Sequence, residues 1–142
     1  MKMNYVIIYV DDVIKAAEFY QEVFDLKIKF VHESNMYAEM ESGETTLAFA
    51  DNEMLKSNTG IEPLKGTKNC FEIAFSTNDV EKTFEKAIAN GAIEIRKPSS
   101  KPWGQIVAYV QDYFGTIVEI CTPMGQITPP PFCPTKRDAP IF

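Results

Sequence analysis

The fold of this chain is decided by residues 5–28, YVIIYVDDVIKAAEFYQEVFDLKI, whose pattern returns in residues 72–95 as EIAFSTNDVEKTFEKAIANGAIEI. A constant shift of 67 residues aligns the two stretches without a gap and matches Asp12 to Asp79. Later in each half, a shift of 71 residues aligns them more loosely and pairs Ala48 with Glu119. A pattern that recurs at a fixed shift indicates an internal repeat. The chain is therefore predicted to contain two copies of one unit.

Each unit is predicted to start with a strand and a helix. Residues 5–10 alternate with period two, which is typical of a strand buried on at least one side. Asp11 or Asp12 can cap the helix that follows, and Asp79 can cap its counterpart, which Asn90-Gly91 ends. The apolar stripe of the first helix, at spacings of three and four, comprises Val13, Ala16, Ala17, Tyr20, Val23 and Phe24.

Three short strands are predicted to complete each unit, with turns at Ser42-Gly43 and at residues 113–115. The predicted strands lie near residues 26–32, 36–41 and 45–50, and near residues 92–97, 105–111 and 116–121. The fold class is therefore α+β, with two βαβββ modules.

The length of 142 residues and the hydrophobic content of 45% suit one core rather than two independent domains. A single domain is predicted over residues 1–124, with module 1 at about 3–50, a connection at 51–67 and module 2 at about 68–124. Six of the nine prolines crowd into the last twenty residues, so residues 125–142 are predicted to form an extended arm. This arm either stays in solvent or docks against the body or a second subunit.

The net charge of −6 and the pI near 4.8 disfavour nucleic acid and anionic membrane surfaces as partners. No apolar run approaches the roughly 20 residues of a bilayer span, and the first residues turn acidic too early for a secretory signal. A cytoplasmic location is expected. The three cysteines, Cys70, Cys121 and Cys133, lack CxxC spacing and are expected to be free thiols.

Residues 10–28, VDDVIKAAEFYQEVFDLKI, and residues 103–121, WGQIVAYVQDYFGTIVEIC, resemble the two halves of the vicinal-oxygen-chelate superfamily. That group contains glyoxalase I, bleomycin-resistance proteins, fosfomycin-resistance enzymes and extradiol dioxygenases. The resemblance covers roughly residues 3–124 and implies glyoxalase-like modules whose sheets curl into a half-barrel cleft, usually in a dimer. A homodimer is therefore expected. One scaffold serves many chemistries, so the resemblance alone does not imply an activity.

The resemblance also implies where metal ligands would lie. Metal-dependent members carry ligands on the first and last strands of each module, which correspond here to Tyr5, Ala48, Glu72 and Glu119. Only the two glutamates are ordinary ligands, whereas a catalytic metal usually needs three protein ligands. The sole histidine, His32, lies away from these positions. No cofactor is expected, and a divalent metal, if bound, would be held by Glu72 and Glu119.

The cleft is predicted to bind a small, partly apolar molecule, aromatic or cationic. Trp103 either stacks on such a ligand or plugs the end of the half-barrel. By strand alternation, Glu72 and Ala74 would share a wall with Ser76. The predicted ligand-binding residues are Tyr5, Ile7, Tyr9, Ala48, Ser76 and Trp103.

Glu72 and Glu119 are the candidate catalytic residues. If both carboxyls face a partly apolar cleft, one would hold a proton while the other is ionised, which suits general acid and base catalysis. Alternatively, each carboxylate is solvated or paired with a basic side chain and has no chemical role. The competing functions are a metal-independent binding protein of the bleomycin-resistance kind, a glyoxalase-type lyase, isomerase or dioxygenase, and a structural dimer with a vestigial cleft.

Overall fold

The computed structural model of the protein describes residues 1, 3–63 and 71–124. The predicted C-terminal arm, residues 125–142, lies outside the described residues. Eleven elements follow one another in the described ranges: β1 (Tyr5–Val10), α1 (Val13–Phe24), β2 (Ile28–Val31), β3 (Tyr37–Met40), β4 (Thr46–Asp51), α2 (Asn52–Thr59), β5 (Glu72–Ser76), α3 (Val80–Ala89), β6 (Ile93–Ser100), β7 (Ile106–Gln111) and β8 (Ile117–Cys121).

The strands form two four-stranded sheets with matching topology. The first has the order β1-β4-β3-β2, and the second has the order β5-β8-β7-β6. In each sheet the first strand runs parallel to the last strand of its module, and the other pairs are antiparallel. β1 begins at Tyr5 and β5 begins at Glu72, which are the residues that the repeat aligns. The prediction of an α+β fold with two βαβββ modules is confirmed.

The helix boundaries follow the capping residues of the sequence. The side chain of Asp12 accepts a hydrogen bond from the backbone N–H of Lys15 at 3.0 Å, and that of Asp79 accepts one from Lys82 at 3.0 Å. After α3 the chain turns at Gly91, whose φ of +94° lies in the left-handed region that glycine adopts without strain. These three predicted boundaries are confirmed.

Helix α2 was not predicted and lies inside the connection between the modules. No α2 side chain is buried. A helix without a buried face needs no apolar stripe, and the sequence of α2 accordingly lacks the periodicity that marks a packed helix. The helix instead depends on its ends. The side chain of Asp51 accepts a hydrogen bond from the N–H of Glu53 at 2.8 Å, and Gly60 closes the C-terminus with a φ of +75°.

The two modules pack together through the helix-covered sides of their sheets. Phe24, at the end of α1, stacks on Phe75 of β5 with the ring centroids 4.6 Å apart. The hydroxyl of Tyr20 donates a hydrogen bond of 2.9 Å to Asp112, which follows β7. Phe19 is buried, although it lies outside the predicted apolar stripe, because its ring packs on Tyr113 of the other module. The core is thus shared between the halves.

The opposite side of each sheet, turned away from its helix, is called its open face here. Alternation along β1 places Ile8 in the core and leaves Tyr5 and Ile7 on the open face, with 50% and 42% of their surfaces exposed. In the second sheet, Phe75 contacts the core, and Glu72 lies on the open face. None of the helices in the described ranges is long and apolar enough to cross a bilayer.

Candidate functional site

Glu72 and Glu119 lie side by side on the open face of the second sheet. The parallel register of β5 and β8 pairs Ala74 with Glu119, and Glu72 is two residues earlier on the same face. Partial burial raises the pKa of Glu72 above its usual value, and the charge of the neighbouring Glu119 raises it further. Glu72 therefore keeps its proton to a higher pH than an ordinary glutamate.

Tyr109 holds Glu119 in position. Its hydroxyl donates a hydrogen bond of 2.8 Å to Oε2 of Glu119 from the neighbouring strand β7, and only 7% of the Tyr109 surface is exposed. Burial raises the pKa of this phenol well above its usual value, and the hydrogen bond and the charge of Glu119 add to the effect. Tyr109 therefore stays protonated and acts as a hydrogen-bond donor.

Cys121 lies beside the same carboxylate. It is a free, buried thiol, as predicted, whereas Cys70 and Cys133 are outside the described residues. Burial raises its pKa to about 11, and the charge of Glu119 adds to the effect, while the thiol donates its hydrogen bond to the carbonyl of Phe75 at 3.6 Å. Since the thiolate is the reactive form, this thiol is a poor nucleophile at neutral pH.

Apolar side chains lie on the same face of the sheet as the acidic pair. Val107, Tyr109 and Cys121 form a small buried cluster on the open face of the second sheet, and Ile117 packs against it. Apolar surroundings strengthen electrostatic interactions because they exclude water. This arrangement is suited to a ligand that has both an apolar part and a polar group.

The open face of the first sheet carries its carboxylate on a different strand. Ala48 is fully buried, and its cross-strand partner is Glu39 of β3. Glu39 accepts a hydrogen bond of 2.9 Å from the hydroxyl of Tyr37 and forms a 3.4 Å ion pair with Lys29. Burial and the contact with Glu39 raise the pKa of Tyr37 to about 12. Unlike the pair in the second sheet, this carboxylate has a cationic partner.

The predicted site residues of the first module form no recorded interaction with Glu72 or Glu119. Over residues 3–63 and 71–124, no hydrogen bond or ion pair links the open face of the first sheet with that of the second. The interactions that raise the pKa of Tyr37 come from Glu39 and Tyr5, all on one sheet. A common cleft with Tyr5 on one wall and Glu72 on the other therefore stays a prediction.

Trp103 and His32 are each fixed by a neighbour. The indole Nε1–H of Trp103 donates a hydrogen bond of 2.8 Å to Gln105, whose amide in turn donates to the carbonyl of Thr122 at 2.6 Å. Trp103 therefore sits near the end of β8, and Ser76 at the end of β5 pairs with Cys121 of that strand. His32 is largely exposed in the turn after β2 and contacts Ser34 through Nδ1.

A family model for the glyoxalase-like domain matches residues 3–125 of the chain. The chain belongs to this family. The resemblance that the sequence indicated is thereby confirmed.

Other comparisons support the same fold for this glyoxalase-like domain. An uncharacterized protein of Bacillus subtilis, YraH, is 29% identical over 124 residues, which cover 84% of this chain and 97% of YraH. A glyoxalase-related enzyme from Fulvimarina pelagi superimposes with a TM-score of 0.75 at 20% identity, covering 86% of this chain and 88% of its own. A glyoxalase/bleomycin resistance protein/dioxygenase family enzyme from Burkholderia phytofirmans has a TM-score of 0.72 at 23% identity. The match covers 86% of this chain and 98% of the Burkholderia chain. These similarities show the fold and leave the ligand open.

Some members of the glyoxalase-like family bind a metal ion, which requires enough side chains with donor atoms at the ligand positions. Among the described residues, no group of three His, Cys, Asp or Glu side chains is placed to hold a metal ion. Glu72 and Glu119 supply two carboxylates, whereas catalytic sites usually have three protein ligands. Ala48 has no donor atom. The described residues at these positions therefore form an incomplete donor set that does not fit a catalytic metal.

Replacing Glu72 with glutamine is expected to stabilise the protein slightly at neutral pH. The folded-state pKa of Glu72 is raised, so its contribution to stability is present in acid and is lost as the pH rises through that pKa. Glutamine removes the repulsion with Glu119. Urea unfolding at several pH values should show that the variant gains stability over the wild type only above the usual carboxyl pKa. An equal gain at all pH values would contradict the role of this ionisation.

Proposed function

We propose that this glyoxalase-like domain binds a small, partly apolar molecule with a positive charge, on the open face of the second sheet. The observation that carries the proposal is the strand register that places Glu72 and Glu119 side by side on one face of β5 and β8. Neither residue takes part in the three ion pairs found among the described residues. A cation between the two carboxylates would relieve their repulsion.

The surroundings of the pair support an organic ligand rather than a simple ion. The buried cluster of Val107, Tyr109 and Cys121 offers apolar surface directly beside the carboxylates. Tyr109 keeps Glu119 oriented, which reduces the entropy that would be lost when a ligand binds. Trp103 lies toward the end of β8, where it would add a flat apolar surface for an aromatic or cationic group.

The proposal can be tested with two probes that share a ring and differ in charge. Benzyltrimethylammonium is the cation, and benzyl alcohol is the neutral control. Calorimetry over a pH series that rises from the usual carboxyl pKa should show that the cation binds more tightly as Glu72 loses its proton, while the affinity for the alcohol stays constant. Trp103 is the only tryptophan in the chain, so its fluorescence is a second reporter of binding.

Three results would contradict the proposal. The first is equal affinity for the two probes. The second is an affinity for the cation that does not change with pH. The third is a stoichiometric divalent metal in gently purified protein that is lost when Glu119 becomes glutamine, since this would assign the carboxylates to a metal. A fluorescence signal that stays unchanged while calorimetry shows binding would reject only the stacking of Trp103.

The acidic pair also supports a second candidate function, proton transfer in a glyoxalase-type lyase or isomerase. The raised pKa of Glu72 keeps this carboxyl protonated to a higher pH than an ordinary glutamate, beside a second carboxyl, and such a pair suits general acid and base catalysis. An enzyme of this kind should exchange the carbon-bound hydrogens next to the carbonyl of hydroxyacetone for deuterium. NMR in deuterated water would detect the exchange. A rate no higher than that of the Glu72→Gln variant would exclude this function for that substrate class.

We further propose that a second copy of the chain covers the open face of the first sheet in a homodimer. Tyr5 and Ile7 expose much of their apolar surface at the edge of the first sheet, which is costly in water. Sedimentation at micromolar concentration should detect a dimer that Ile7→Lys weakens by about tenfold or more. Ile88→Lys is the matched control, because Ile88 is similarly exposed but lies on α3. A wild-type monomer, or equal effects of the two variants, would contradict this arrangement.

A further inference from the structure

A groove of about 520 Å³ lies between the β2–β3 turn and helix α2. This volume falls within the range of about 300–1,000 Å³ that is usual for small-molecule sites. The described residues that line it are His32, Ser34, Met36, Tyr37, Met54 and Ser57. They belong to the first module and to helix α2 of the connection, whereas the acidic pair belongs to the second sheet. The groove is thus a different site from that of the proposed function.

The turn that forms one wall is held by its own hydrogen bonds. The backbone N–H of His32 donates to the carbonyl of Tyr37 at 2.9 Å, and the N–H of Met36 donates to the hydroxyl of Ser34 at 3.2 Å. The N–H of Ser34 donates to Nδ1 of His32 at 3.1 Å. This wall is therefore formed before any ligand arrives, which lowers the entropic cost of binding.

The hydrogen bond to His32 also determines which ring nitrogen carries the proton. Because the N–H of Ser34 donates to Nδ1, that nitrogen needs a free lone pair, and the proton of the neutral ring is on Nε2. The three hydroxyl groups that line the groove are already engaged. That of Ser34 lies 2.7 Å from Nδ1 of His32, that of Tyr37 donates to Glu39, and that of Ser57 donates to the carbonyl of Met54. Among the described residues of the groove, Nε2–H of His32 is the side-chain donor left for a ligand.

The remaining lining selects the chemistry of that ligand. No Asp, Glu, Lys or Arg is among the described residues that line the groove, so an uncharged molecule is favoured. The thioethers of Met36 and Met54 are polarisable and make favourable contacts with aromatic rings. We infer that this groove binds an uncharged aromatic molecule that carries a hydrogen-bond acceptor, with the ring against the two methionines and the acceptor at His32.

Methionine methyl groups give a direct test. The chain has six methionines, so ¹³C-methyl labelling of the full protein yields a simple spectrum. Benzamide is the probe, and cyclohexanecarboxamide and benzoate are the controls that remove the aromatic ring or add a charge. We expect benzamide to shift Met36 and Met54 in a saturable way and to bind about tenfold more tightly than either control. Met40 is buried in the core and should not shift.

Variants separate this site from a general effect. Met54→Gln should weaken benzamide binding by about tenfold, whereas Met3→Gln, at an exposed residue outside the groove, should not change it. An unchanged Met40 signal shows that a variant is folded. If Met54→Gln is not folded, His32→Phe takes its place and should remove the preference for benzamide over toluene.

The inference is overturned by the absence of shifts at Met36 and Met54, by shifts that are equal for benzamide and cyclohexanecarboxamide, or by binding that neither substitution changes. These outcomes are independent of the proposed function. The acidic pair is tested with a cation and by its pH dependence, whereas the groove is tested with a neutral probe at constant pH. The experiments can therefore contradict one proposal and still support the other.

Discussion

Replacing Asp112 with alanine is expected to lower the free energy of unfolding by about 3 kcal/mol or more. Asp112 is 2% exposed, and its carboxylate accepts hydrogen bonds from the hydroxyl of Tyr20 at 2.9 Å and from the N–H groups of Phe114 at 2.9 Å and Thr116 at 2.8 Å. Alanine leaves these three donors without their acceptor. The first of them comes from the other module, so the substitution loosens both the β7–β8 turn and the packing between the halves. Urea denaturation measures the loss.

Tyr20→Phe is the matched variant for this prediction. It removes one hydrogen bond to Asp112 and keeps the ring, which packs 4.8 Å from the ring of Phe49. The backbone donors of Phe114 and Thr116 keep their acceptor. We therefore expect a loss of about 1 kcal/mol. If Tyr20→Phe costs as much as Asp112→Ala, the turn does not depend on the carboxylate, and the argument from unpaired donors is wrong.

The parts of the fold that the sequence predicts are those with a local physical cause. Asp12 and Asp79 can each accept a hydrogen bond from the first helical turn, whatever the rest of the chain does. Gly91 is one of the few residues that takes a left-handed conformation without strain. The strand patterns are local as well, because alternation with period two reflects one buried face. Two copies of the same signals then determine the modules.

The features that the sequence did not predict depend on distant partners or lack a pattern. Phe19 is buried because Tyr113 of the other module covers it, and no local periodicity contains that information. Asp25 ends α1 in a left-handed conformation that a non-glycine residue adopts only occasionally. Helix α2 has end caps but no buried face, so the periodicity on which the prediction relied was absent.

The candidate site could be predicted in part. Alternation places Glu72 and Glu119 on the face opposite the core, and the parallel pairing of β5 and β8 brings them together. Tyr109 was missed because its position depends on the antiparallel register of β7 and β8, which the turn between them sets. A count outward from that turn, centred near residue 114, would have paired Tyr109 with Glu119.

The same reasoning explains the asymmetry between the modules. Ile7 pairs with Ala48, and Ala74 pairs with Glu119, so the two last-strand positions are equivalent in register as well as in the repeat. Ala48 is fully buried, and Glu39 lies directly across from it. A second carboxylate there would be buried opposite a like charge. The first module therefore has one neutralised acid, and the second has two that interact.

Replacing Glu119 with glutamine is expected to weaken the binding of benzyltrimethylammonium by about 10- to 100-fold at pH 8. A hydrogen bond or ion pair that involves a charged group in a partly apolar site contributes about 1.5–3 kcal/mol, and each 1.4 kcal/mol corresponds to a factor of ten. Glu119 should matter more than Glu72, because Tyr109 holds it in one orientation. Tyr109→Phe should accordingly cause a smaller loss of affinity, and Glu72→Gln should remove most of the pH dependence.

Glu22→Gln is the control for net charge. Glu22 is exposed on α1, on the helix side of the protein, so its substitution removes the same charge without touching the open face. If Glu119→Gln and Glu22→Gln weaken binding equally, the attraction comes from the overall charge of −6 rather than from the pair. Joint binding of the cation by the two carboxylates predicts that affinity falls only in Glu119→Gln and Glu72→Gln. It also predicts that the double variant loses less affinity than the sum of the two single losses. Raising the salt concentration should then reduce the affinity, because Glu72 is exposed and the interactions of exposed charges are screened by salt.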